Sequence, residues 1–301
     1  MIARDAFMRK VSTRCFVALL AAACAPELAD DTTLVTAPRV IAAVADPPEL
    51  HPRAMVQIHV VPAPDAAGAT PELTFCTTPA TIGDPRPVSE ACLAEKGIPL
   101  SVDGLVATGA IPADTCSRFG PDPISSSDRP RDPDATGGFY QPVRISFLGA
   151  ISFEQVRIQC ALPDAPADLA RQLADRYRPN QNPHEPSLEL QTPGGFQDLA
   201  AVKAGESVQL RVRWDRESRE TYVSLPPDGT ALENRVEAMS VSWFSNRGSF
   251  AASVTGRAEK DPGNDTTNSF VAPDSGPLTL WVVLRDSRGG SAFLTRSVHV
   301  E

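Results

Sequence analysis

Apolar and polar residues alternate with a period of two along much of this chain, most clearly in its C-terminal third. Val208, Leu210, Val212 and Trp214 alternate with Gln209, Arg211 and Arg213, and Met239, Val241 and Trp243 alternate with Ser240 and Ser242. This spacing places one set of side chains on a buried face and predicts half-buried strands. Leu278, Leu280, Val282 and Leu284 predict a late strand, Asp286-Ser287-Arg288-Gly289-Gly290 a turn, and Leu294, Val298 and Val300 the final strand. Several short strands punctuated by Gly, Pro and Asn within about 100 residues describe a β-sandwich over residues 187–301.

The same period recurs, less regularly, over residues 39–163. Val40 to Val44 open a strand that Asp46-Pro47-Pro48 ends, and Val56, Ile58 and Val60 alternate with Gln57 and His59. Leu73 and Phe75 give a third strand. From Thr77 to Gly138 the pattern dissolves into a long Pro/Asp/Ser/Gly insertion. Tyr140, Val143, Ile145 and Phe147 resume it, and Val156, Ile158 and Cys160 close the sandwich. Between the two halves, residues 164–186 predict a helical linker. Pro166 suits a first helical position, Leu169, Leu173 and Tyr177 share one face, and Arg178-Pro179 stops the helix. The linker is expected to lie on one sandwich.

One segment has neither period. Residues 16–23, FVALLAAA, form a short apolar run after Arg9, Lys10 and Arg14. The run is far below the roughly 20 residues of a membrane-spanning helix, and it has the layout of a secretory signal over residues 1–23. Ala21-Ala22-Ala23 satisfies a secretory cleavage site and would leave a plainly secreted protein. LLAAAC also resembles a bacterial lipobox, which implies a diacylglyceryl group on Cys24 and an acylated tether over residues 24–38. Cysteine parity favours the lipobox. With Cys15 removed and Cys24 acylated, Cys76, Cys92, Cys116 and Cys160 remain, an even number suited to bridges in an oxidising compartment. Four cysteines allow three pairings, and Cys76–Cys92 with Cys116–Cys160 is preferred because it follows chain order. The wide spacings and the lack of a C-x2-C pair argue against zinc.

The net charge is -9 and becomes more acidic once the basic leader is removed. That excludes a phosphate-tracking nucleic-acid binder. Twenty-nine prolines and 6% aromatic residues point to loops and sheet edges, not to a helical bundle.

Trp243 in MSVSWFSNRGSF stands where immunoglobulin-like and PKD-like domains keep a core tryptophan, and LTLWVVLRDSRGGSAFLTRSVHV resembles their last two strands with the intervening turn. RVIAAVADPPELHPRAMVQIHVVPAP is similar to their first two strands, with Phe75 where a tryptophan is expected in this first module. The mature chain thus resembles bacterial surface lipoproteins with tandem Ig-like/PKD-like modules. The resemblance implies an all-β fold of two sandwiches and an extracellular or periplasmic binding or spacer role. Because Ala25 follows Cys24, the family analogy points to the outer membrane.

No catalytic pattern stands out. There is no G-x-S-x-G, no H-E-x-x-H and no glycine-rich phosphate loop, and His51, His59, His184 and His299 lie in separate segments. Asp261, Asn264 and Asp265, together with Asp286, form an oxygen-rich set that could hold calcium. Asp122, Asp128, Asp132 and Asp134 raise the same idea, and a solvated turn is the simpler reading of each. Trp214 and Trp243 belong to a core. Trp281 falls out of phase with its strand. It is either a surface platform for sugar or peptide, or packed under a loop or against the other module, and packing is preferred. These features give a non-catalytic, lipid-anchored cell-envelope protein with a structural or protein-interaction role, whose partners are the membrane and an envelope protein. The alternative is a carbohydrate- or peptide-binding module serving an envelope enzyme complex, with a polysaccharide as partner.

Overall fold

The computed structural model describes residues 32–66, 68–80, 88–94, 97–120, 139–161, 165–226 and 230–301. The expected signal, Cys24, most of the expected tether and the acidic residues of the insertion, Asp122 to Asp134, lie outside the described residues.

The first sandwich contains β1 (Arg39–Asp46), β2 (Glu49–Leu50), β3 (Met55–Ala63), β4 (Glu72–Phe75), β5 (Ile98–Pro99), β6 (Ser101–Asp103), β7 (Val106–Ala110), β8 (Tyr140–Phe147) and β9 (Ala150–Ile158), with short helices α1 (Glu90–Ala94) and α2 (Thr115–Phe119). One sheet runs β1-β3-β7-β6 and the other β2-β9-β8-β4-β5. The alternation works as expected in β3, where Val56, Ile58 and Val60 are buried and Gln57 and His59 are exposed. The insertion is more ordered than its composition suggests. Residues 98–110 supply three strands, and Ala107 and Leu100 enter the core. Two disulfides staple it, Cys76–Cys92 and Cys116–Cys160, with Cα atoms 5.3 and 5.6 Å apart. The buried Thr115 hydroxyl donates to Gln141 Oε1 (2.8 Å), and Gln141 Nε2 donates to the Cys76 carbonyl (2.9 Å), so α2 is tied to β8 at a point where no water is needed.

Helix α3 (Ala167–Arg176) follows, with Leu169 and Leu173 buried. Pro166 is its N-cap and not its first helical residue. The helix also reaches both sandwiches instead of lying on one. Arg176 Nη2 donates to Asn234 Oδ1 (3.0 Å) in the second, and the Tyr177 hydroxyl donates to Glu49 Oε1 (2.6 Å) in the first.

The second sandwich contains β10 (Ser187–Thr192), β11 (Gly195–Asp198), β12 (Ala201–Val202), β13 (Ser207–Arg213), the hairpin β14 (Thr221–Ser224) and β15 (Glu233–Val236), β16 (Met239–Ser245), β17 (Ser249–Phe250), β18 (Val254–Arg257), β19 (Asp265–Val271), β20 (Gly276–Asp286) and β21 (Ser291–Val300). Its sheets run β11-β10-β13-β19-β17 and β12-β21-β20-β16-β18. Its core holds Trp214 and Trp243 as expected, 2% and 0% exposed. Read as immunoglobulin strands A to G, both sandwiches place A-B-E-D in one sheet and G-F-C in the other, with a short A′ strand parallel to G. The fold is all-β, and both sandwiches are Ig-like.

Residues Thr32–Glu301 form one compact unit. The reason lies in β20, where Leu280 to Leu284 are all buried. Leu280, Val282 and Leu284 face the core of their own sandwich. Trp281 and Val283 face outward and pack with Phe244 against Ile41, Ala42, Val61 and Ala63 of β1 and β3. The end of the tether joins them. Val35 is buried in the same cluster, Val35 N donates to the Ser245 carbonyl (2.7 Å), and Ser245 N donates to the Thr33 carbonyl (2.9 Å). Residues 33–35 are thus a docked arm and not a free spacer. Among the described residues, no helix is long and apolar enough to cross a membrane.

Candidate functional site at the junction of the two sandwiches

The β20–β21 turn organises the polar half of the junction. Asp286 Oδ1 accepts from Arg288 N (2.8 Å) and Gly290 N (2.9 Å), and Asp286 N donates to the Gly290 carbonyl (3.0 Å). Gly289 has φ +102°, which glycine adopts at least cost. At Gly290 a Cβ would lie 2.1 Å from Asp286 Oδ2 and 2.8 Å from the Gln181 carbonyl, so no side chain fits there.

This turn sends the Arg288 side chain into the space between the sandwiches, where it is 1% exposed. Nε donates to Glu237 Oε1 (2.7 Å). Nη2 donates to Glu220 Oε2 (2.9 Å) and Asn180 Oδ1 (3.1 Å). Nη1 donates to the Arg178 carbonyl (3.0 Å) and, more weakly, to the Tyr177 hydroxyl (3.5 Å). The guanidinium lies 4.8 Å from the Tyr222 ring centroid. All five N–H groups of the fork are therefore used. Glu49 is the first sandwich's contribution. Its Oε2 accepts from Asn180 N (2.7 Å) and lies 3.5 Å from Arg157 Nε and 3.8 Å from Arg288 Nη1. Between them runs the connector after α3. Asn180 Nδ2 donates to Asp286, Asn182 Nδ2 donates to the Ala45 carbonyl (2.8 Å), and Ser291 N donates to Asn182 Oδ1 (2.9 Å).

Four carboxylates, Glu49, Glu220, Glu237 and Asp286, meet two arginines, Arg157 and Arg288. Burial, reinforced by the Asp286 charge, pushes the Glu237 carboxyl up to about 7. Burial pushes Asp286 up to about 6, against the hydrogen bonds it receives from Arg288 N, Gly290 N and Asn180. Burial likewise pushes the Tyr177 hydroxyl up to about 12. The cluster can hold two surfaces together, but it has no free Arg288 donor to offer a ligand.

The residues expected to form sites are distributed differently. Trp281 is 5% exposed and packs against the first sandwich, so it presents no platform to sugar or peptide. The calcium set is not assembled. Asp261 and Asp265 both bind the Arg257 guanidinium (2.9 and 2.8 Å), Asn264 Nδ2 donates to the Trp214 carbonyl (2.8 Å), and Asp286 serves the junction. Among the described residues there is no group of three or more His, Cys, Asp or Glu that could hold a metal ion. The junction residues Glu49, Asn180, Glu237 and Arg288 were not anticipated. The nearest sequence signal was the D-x-x-G-G stretch, read there as the turn connecting the last two strands. Beside the junction, between α3 and the first sandwich, lies a cavity of about 560 Å³ lined by Glu49, His51, Phe139, Leu173, Tyr177 and Pro179, among others.

No family model and no curated protein matches the chain. Solved structures similar to it include the D00-D0 domain of intimin, with 7% identity over 88% of this chain and 98% of that one and a TM-score of 0.24. A lipoprotein from Bacteroides thetaiotaomicron shares 18% identity over 40% of this chain and 85% of that one, with a TM-score of 0.25. The fibronectin(III)-like modules of Clostridium thermocellum CbhA share 8% over 86% and 94%, with a TM-score of 0.23. Similarity of this order carries no functional argument. The architecture described above defines the class: an all-β protein of two Ig-like sandwiches fused through a buried junction.

Proposed function

We propose that this chain is a non-catalytic, exported protein of the cell envelope, anchored by lipid at Cys24, that presents two Ig-like sandwiches as one rigid body in a structural or protein-interaction role. The outer membrane is its proposed site. The supporting observation is the junction itself. Arg288 binds Glu237 and Glu220 of its own sandwich and the connector at Arg178 and Asn180, and it faces Glu49 of the first sandwich at 3.8 Å; a buried network of that kind fixes relative orientation more than it adds stability. Disulfides belong to oxidising compartments, which supports export. The carbohydrate- or peptide-binding alternative loses the aromatic platform on which it stood, because Trp281 is interior.

The test is the intact mass of the mature protein recovered from its native envelope, alongside the distribution of a Cys24→Ser variant. The expected mass is that of a chain beginning at Cys24, carrying acyl groups and lacking the hydrogens lost to two bridges. The variant is expected in the soluble fraction. An unacylated, membrane-free native protein overturns the anchoring.

A further inference from the structure

The β8–β9 turn consists of Leu148 and Gly149, with φ of +49° and +81°. Two positive φ values in a two-residue hairpin describe a turn that favours Asn-Gly, because a residue with a Cβ resists that conformation. A leucine holds the position instead. At 61% exposure its side chain is the most exposed of the large hydrophobic residues described, and Ile151 on the same hairpin is 45% exposed. The conformational cost does not yield burial within this chain.

Strand register shows what else lies at this end. Arg39 pairs with Ala63, Glu72 with Ser146, and His59 with Val106. The start of β1, the β3–β4 loop and the turn at Gly104 and Leu105 therefore share the end that carries Leu148. The described chain begins here too, because Arg39 Nη2 donates to the Thr32 carbonyl (2.6 Å). Cys24 precedes Thr32 by eight residues, a reach of about 28 Å at full extension. Sheets about 10 Å apart, with strands about 4.8 Å apart, put the Leu148 tip within roughly 20 Å of that exit.

We propose that this loop end is the face the protein turns to a lipid bilayer, with Leu148 and Ile151 entering the boundary between headgroups and acyl chains. The inference rests on the lipid anchor at Cys24. Two side chains are too few for a stable membrane contact alone, and the anchor supplies the local concentration that makes the contact persist. Exposed Asp65, Glu72 and Asp103 border the tip, so the matching surface is zwitterionic and not strongly anionic.

The experiment uses the full acylated protein in phosphatidylcholine vesicles containing lipid brominated on its acyl chains. Leu148→Trp and, separately, Ile151→Trp report at the tip. Phe293→Trp, on the exposed face of the second sandwich, is the control. The native Trp214, Trp243 and Trp281 are buried and give a constant background. The expected result is a blue shift and loss of emission at positions 148 and 151 but not at 293. Confirmed acylation with no quenching at either tip position, or equal quenching at 293, overturns the inference and leaves the anchor standing. A blue shift that needs added envelope protein assigns the tip to a protein partner and also overturns it. Absence of acyl mass overturns the anchoring reading and this one with it.

Discussion

The two sandwiches end their penultimate strand in different ways, although in each that strand lies between the same two neighbours of its sheet. In the first, β8 turns through Leu148-Gly149 into solvent. In the second, β20 turns through five residues whose arginine is 1% exposed. The first turn has space around it, and a Cβ on Gly149 would meet nothing within 4 Å. The second has none, because the connector passes directly over Gly290. One fold thus supplies the same loop twice, once free and once used to fasten the modules. Side chains, not topology, make the difference: a carboxylate that ties its own turn, a Gly290 that lets the connector approach, a Gly289 that lets Tyr140 of the first sandwich approach, and an arginine long enough to reach three carboxylates.

The contrast can be tested by breaking the fastened turn. Arg288→Ala leaves the buried Glu237 without its cation, while Glu49 keeps Arg157, and removing one partner from a buried pair costs about 3–5 kcal/mol. Chemical denaturation should show a loss of that size. An unchanged midpoint would mean that the cluster is not structural. Glycine replacement compares the two turns directly. Gly290→Ala should cost about 1–3 kcal/mol, nearer the upper value because a backbone carbonyl must move. Gly149→Ala pays only its positive φ, about 1–2 kcal/mol. Equal losses would remove the distinction drawn between the turns. The smallest effect is the pH dependence. Glu237 and Asp286 hold their protons more tightly in the folded chain than in the unfolded one. Their contribution is therefore complete only below their unfolded values of 3.8 and 4.5 and is lost progressively as pH rises to about 6 for Asp286 and about 7 for Glu237. Thermal midpoints should fall by a few degrees between about pH 4 and about pH 8, and Glu237→Gln should flatten the decline.

The strands were legible because one residue in two had to face a core, as Val56, Ile58 and Val60 do. The strands of residues 98–110 were not. They are two to five residues long, with Pro99, Gly104 and Gly109 among them, so no window is long enough to show a period. Trp281 carried a real signal. An apolar run without alternation, Leu280 to Leu284, belongs to a strand buried on both faces, and its outward face meets the other sandwich. The polar junction left no such trace. Arg288 and Glu237 are 51 residues apart and Asn180 and Glu49 are 131, and each is a polar residue that, taken alone, looks solvent-facing. Only assembly shows that Asp286, Glu237 and Arg288 face one another.

The docked arm has a consequence for the order in which the molecule can be completed. Thr33 and Val35 are made early, yet their hydrogen bonds end on Ser245, about 200 residues later, at an edge that does not exist until β16 has found β20. The first sandwich can close its own core long before then, but the arm beside it must wait. Its seating requires Ser245 of the far module to be in place. A chain stopped short of that module would lack Ser245, the partner on which residues 33–35 dock.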